Sequence, residues 1–174
     1  MFPGHAVSQA TCALALGLYA AALVAPQEAS AAPPHRTREM NAFDVAAIDR
    51  AKEGALRKLQ APECRRIFTD FKDREGRPLQ MKLDQMGLGP AEYLQMIPFL
   101  DGESQQRCHW SKVDLATVPG VPRVFVCAQF AGTQLHDPWL AETIVIHEML
   151  HTLGLGENPP TSTEITQRVR GRCQ

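Results

Sequence analysis

An excess of charge of either sign is missing from this sequence. Eighteen basic residues stand against 19 acidic ones over 174 positions, for a formal net charge of −1. Nucleic-acid-binding domains carry a basic excess, so nucleic acid is a poor partner for this chain. No run of like charges marks a tail. Glycine and proline, at 12 and 13 residues, fall short of what disordered or collagen-like chains contain. No two cysteines have the C-x-x-C spacing, which argues against a zinc knot or a thioredoxin-type site. Internal repeats are also absent. What is present is apolar material for a core, 44% of the residues, in a length that suits one domain.

The N-terminus reads as a removable segment. Residues 11–25 (TCALALGLYAAALVA) are apolar and uncharged. That run is shorter than the roughly 20 residues a membrane span needs. Small residues of the A-x-A type follow it, up to Ala31 and Ala32. The pattern fits a signal peptide over residues 1–31, although no Lys or Arg precedes the apolar run. A retained anchor helix is the alternative. The expected location is therefore secreted or periplasmic, with a mature domain of residues 32–174. Cleavage removes Glu28 and Cys12 and leaves a neutral chain with Cys64, Cys108, Cys127 and Cys173. An even count in an exported chain suggests two disulfides, in any of three pairings. Four buried free thiols are the alternative.

Along the mature chain, residues 32–37 form a lead-in. Residues 39–60 repeat apolar positions at helical intervals. Residues 66–71 and 78–83 alternate about Gly76 and predict a β-hairpin. Gly89-Pro90 opens a short helix, residues 91–97, and residues 101–122 look like loop. Residues 123–130 (RVFVCAQF) alternate as a strand. A loop over 131–136 follows. Asp137-Pro138 then makes a helix start, with Asp as N-cap, and Gly154 and Gly156 end that helix near residue 153. A last helix runs from Pro159-Pro160-Thr161 to about Arg170. The fold class is α+β: the first long helix backs a small, mostly antiparallel sheet from residues 66–83 and 123–130, with helix 138–153 on its other side.

The chemistry lies at His147-Glu148-Met149-Leu150-His151. Residues i and i+4 of a helix lie one turn apart on one face. Two imidazoles so placed can each offer a nitrogen to a single Zn²⁺, at about 2.0–2.1 Å. Glu148, beside the first His, is placed to act as general base on a water. With only six His in the chain, an H-E-x-x-H match arises by accident in about 1% of such sequences. The bland alternative, two surface histidines beside a salt-bridged Glu, fits poorly with the apolar run Ile144-Val145-Ile146 just before them.

The stretch His147–Glu157, HEMLHTLGLGE, resembles the zinc-binding segment of the metzincin metallopeptidases, H-E-x-x-H-x-x-G-x-x-H/D. His147, Glu148, His151 and Gly154 match that pattern. The resemblance implies metal ligands His147, His151 and Glu157, with the Gly turning the chain back to present the last. Glu157 stands where the family has His or Asp. No Met follows it, so the methionine turn of that family is missing. The strand before the motif, VFVCAQF, also resembles the deuterolysin type of peptidase, whose downstream Asp ligand motif is not found here. The resemblance therefore implies a minimal zincin: a zinc metallopeptidase with Glu148 catalytic. It also implies an extended peptide substrate pairing with strand 123–130 at the sheet edge.

Glu164 competes with Glu157 as third ligand, but Thr161-Ser162-Thr163-Glu164 also reads as a capping box. In some zincins a Tyr or His steadies the oxyanion; Tyr93, the one Tyr of the mature chain, reads rather as core. His136 reads as exposed, His109 beside Cys108 as non-catalytic because a disulfide would remove the thiol nucleophile, and Trp110 and Trp139 as packing residues. A monomer acting on peptides is expected, without nucleic-acid or membrane partners. The competing class is a disulfide-stapled binding or effector domain with a structural zinc.

Overall fold

Asn41 starts the first helix by accepting hydrogen bonds at Oδ1 from the N–H groups of Phe43 and Asp44, each at 3.0 Å. The computed structural model describes residues 39–110 and 113–174. The expected signal peptide and lead-in, residues 1–37, lie outside them. Helix α1 is Ala42–Leu59. Its face Ala47, Ile48, Ala51, Ala55 and Leu59 is buried, at the three- and four-residue spacing the sequence shows. Short helices α2 (Pro62–Arg65) and α3 (Ile67–Asp70) follow, then α4 (Leu79–Met86) and α5 (Pro90–Met96).

The predicted hairpin over residues 66–83 is therefore replaced by helices. The reason is visible in α4. A strand would place Leu79, Met81 and Leu83 on one face, but Leu79 and Leu83 are buried while Met81 is 43% exposed. One helical turn separates the two leucines, so the helix buries both. Only the turn survives from the hairpin: Lys72 pairs with Pro78 in an isolated antiparallel bridge.

Strands β1 (Phe99–Asp101), β2 (Leu115–Ala116) and β3 (Val124–Val126) form a mixed sheet in the order β1-β3-β2. β1 runs parallel to β3 and β2 antiparallel to it. The α+β class stands, but the sheet draws on residues 99–101 and 115–116 rather than 66–83. Residues 101–122, read as loop, also contain a 3₁₀ turn, Gln106–His109. The strand expected over 123–130 lasts three residues, and it is the central strand, not the edge. Helix α6 (Phe130–His136) takes over, burying Phe130, Ala131 and Gln134 where a loop was expected. Helices α7 (Pro138–Thr152) and α8 (Ser162–Arg172) complete the order. α1 packs along α6 and α7, and α8 packs on α7. Among the described residues no helix is long and apolar enough to cross a membrane.

All four cysteines of the described chain are paired, Cys64 with Cys173 and Cys108 with Cys127. Such bonds form and persist in oxidising compartments. The first spans 109 residues and ties α2 to the end of α8. Replacing both Cys64 and Cys173 by Ser is expected to lower the unfolding free energy by about 4–5 kcal/mol, because the unfolded chain regains the entropy of so long a loop. Urea denaturation reads this, and a loss below about 1 kcal/mol would contradict it.

Candidate metal centre

Helix α7 carries the histidines, and its ends are built as the sequence indicates. Asp137 Oδ1 accepts from the Leu140 N–H at 3.0 Å, with Pro138 at the first helical position. At the other end Gly154 takes φ 109°, a left-handed conformation that a side chain would strain. The chain reverses there, and Leu155 forms an antiparallel bridge with Asp73. That reversal brings Glu157 back over the last turn of α7.

His147 and His151 are buried, and their Nε2 atoms stand 3.1 Å apart. The other ring nitrogen identifies the tautomer of His151. His151 Nδ1 lies 2.8 Å from the carbonyl oxygen of Leu155, which only accepts, so Nδ1 carries the proton. His147 Nδ1 lies 2.9 Å from Thr166 Oγ1 on α8. With Thr166 accepting, both Nε2 lone pairs meet at one point, which is repulsive unless a cation or proton stands between them. Burial, with His151 adding to it, holds the His147 pKa down to about 3, so its ring is neutral. Glu157 Oε1 completes the group, 3.5 Å from His151 Nε2 and 3.9 Å from His147 Nε2.

These three atoms fit a metal ion. A tetrahedral ion with bonds of about 2.0–2.1 Å holds its ligand atoms roughly 3.4 Å apart. Here the three donors all lie within 4.8 Å of one another. Two imidazoles and a carboxylate suit a divalent transition ion, zinc and iron(II) among them. Thr166 and the Leu155 carbonyl orient the rings, as outer partners of metal-bound histidines do.

Glu148 is 9% exposed. Burial pushes its carboxyl up to about 8, with the Glu157 carboxylate adding and Arg107 opposing. The group opens into a cleft of about 690 Å³ whose lining includes Arg107, Leu115, Ala116, Leu140 and Ile144. Leu140 and Ile144, half-buried, lie two turns and one turn before His147, so the ligand face of α7 continues as an apolar wall.

The remaining candidates fall outside this group. Glu164 Oε2 accepts from the Thr161 N–H at 2.7 Å and from Thr161 Oγ1 at 2.8 Å, so its carboxylate caps α8. Tyr93 is buried and donates to Thr152 Oγ1 at 3.0 Å. His109 and His136 are exposed. Trp139 packs between Lys58 and Arg170, its ring centroid 4.6 and 4.4 Å from their cationic groups. Trp110 departs from expectation: it is 59% exposed and lines the cleft instead of packing in the core. Sequence reasoning missed Thr166 and Arg107. Thr166 sits 15 residues past His151, on a separate helix, and no local spacing marks it. Arg107 lies in a segment read as loop.

No protein-family model matches this chain, and no curated protein or solved structure matches it either.

Proposed function

We propose that this chain is an exported zinc peptidase of the zincin type. The observation that carries the reading is the meeting of the His147 and His151 Nε2 atoms, 3.1 Å apart, with Glu157 Oε1, beside a buried Glu148 on an open cleft. Zinc bound there would acidify a water to a pKa near 7 and polarise a carbonyl. The protein's own groups do the rest. Thr166 and the Leu155 carbonyl fix the imidazoles. With a bound cation drawing its pKa back down, Glu148 would be ionised, take the proton of the attacking water and pass it to the leaving amine.

The free edge of the sheet beside the cleft belongs to β2, since β3 is paired on both sides. An extended peptide would therefore add to β2, with its side chains alternating towards the apolar wall of Leu140 and Ile144. Three ligand side chains leave a zinc corner for solvent, which favours catalysis over a closed structural site. The disulfides support an exported setting.

The test is hydrolysis of a peptide library by the mature protein before and after removal of metal with 1,10-phenanthroline. Cleavage that stops on chelation and returns with added zinc supports the proposal. A protein that holds zinc tightly yet cleaves nothing would instead be the structural-zinc binding domain.

A further inference from the structure

When water attacks an amide carbonyl, the new carbon–oxygen bond pushes the carbonyl π pair onto oxygen, and that oxygen becomes negative. Preorganised donors aimed at it give one of the largest catalytic effects known. The tyrosine and the imidazoles outside the metal group are placed elsewhere. Tyr93 is buried against Thr152, and His109 and His136 are exposed and do not line the cleft.

Two arginines do line it, Arg74 and Arg107. Arg74 packs behind the turn that carries Glu157, its Nε 3.5 Å from where a Gly156 side chain would begin. Arg107 is held differently. Its Nη1 donates at 2.9 Å to the carbonyl oxygen of Thr117, the residue immediately after β2. Its neighbour Cys108 is bonded to Cys127, at the end of β3. Arg107 is thus tied to the sheet twice, through its guanidinium at the end of β2 and through the neighbouring disulfide at the end of β3. A guanidinium has five N–H groups, and the Thr117 carbonyl uses one. Arg107 and Glu148 line the same cleft.

We propose that Arg107 is a catalytic residue: its free N–H groups donate to the scissile carbonyl oxygen as that oxygen gains charge. The inference rests on the peptidase reading above. Water oxygen bonds to the carbonyl carbon while Glu148 takes the water proton. The π pair moves to the carbonyl oxygen, where Arg107 holds it. The pair then returns, the carbon–nitrogen bond breaks, and the nitrogen takes the proton from Glu148. Arg107 keeps its charge throughout, and the products are a carboxylic acid and an amine.

The experiment compares the mature wild-type protein with Arg107→Ala and Arg107→Lys. It reads zinc content, kcat, KM and the affinity of a phosphinic peptide, which mimics the charged oxygen. Arg107→Ala is expected to lose about 100-fold in kcat, with KM within about threefold and zinc unchanged. Phosphinic-peptide affinity should fall by a similar factor, and added guanidinium ion should restore part of the rate. Unchanged kcat, a loss carried by KM alone, or a loss that tracks lost zinc would overturn the role. Should Arg107→Ala fail to fold, Arg107→Lys decides: its ammonium cannot reproduce the planar fork, so kcat should drop at least about tenfold, and an unchanged kcat would overturn the role. A wild-type protein that cleaves nothing would remove the peptidase reading and this role with it. An active wild type with fully active Arg107 variants would remove this role alone.

Discussion

Glu148→Gln is expected to lower kcat by about 10²–10⁴-fold while the zinc content stays that of the wild type. The amide keeps the size and much of the hydrogen bonding of the carboxylate but cannot take a proton. Glu148 is nearly inaccessible at 9% exposure, so the substitution trades one buried polar group for a close isostere. It touches none of the three donor atoms that converge on the metal position. A structural role for Glu148 would instead show as lost stability at unchanged turnover. Turnover within about tenfold of wild type, at equal zinc, would remove Glu148 as the base.

His147→Ala and His151→Ala should each reduce bound zinc from about one per chain to a small residue, because two remaining donors hold the ion poorly. The His151 substitution does further damage. It removes the bond from Nδ1 to the Leu155 carbonyl, which fixes the turn leading to Glu157. Glu157→Ala should lose most of the zinc as well. Glu164→Ala should keep it, and should cost about 1 kcal/mol of helix stability, because that carboxylate caps α8 at Thr161. Metal analysis on the four variants reads the contrast. Zinc lost with Glu164 and kept without Glu157 would reverse the ligand assignment.

The metal group was legible because its signals are local. Two histidines four apart need only a helix, and Asp137, Pro138 and Gly154 mark where that helix starts and stops. Gly154 also announced the turn that returns Glu157. The capping box at Thr161 and Glu164 was visible for the same reason.

What stayed hidden depends on distant partners. Thr166 reaches His147 only because α8 packs on α7. The partnering of the four cysteines follows from which ends of the chain meet, and spacing alone leaves three choices. The sheet was misplaced because two- and three-residue strands are too short to show alternation. The run Leu79 to Leu83 misled for a related reason: over five residues, periods of 2 and 3.6 both place its first and last residues on one side, and only the exposure of Met81 separates them.

X-ray absorption at the zinc edge of the purified mature protein tests the central claim most directly. The account predicts about one zinc per chain in a shell of nitrogen and oxygen at roughly 2.0–2.2 Å, with imidazole scattering from two rings and no sulfur. A folded protein that carries no zinc even after incubation with it, or a shell that contains sulfur, would contradict it.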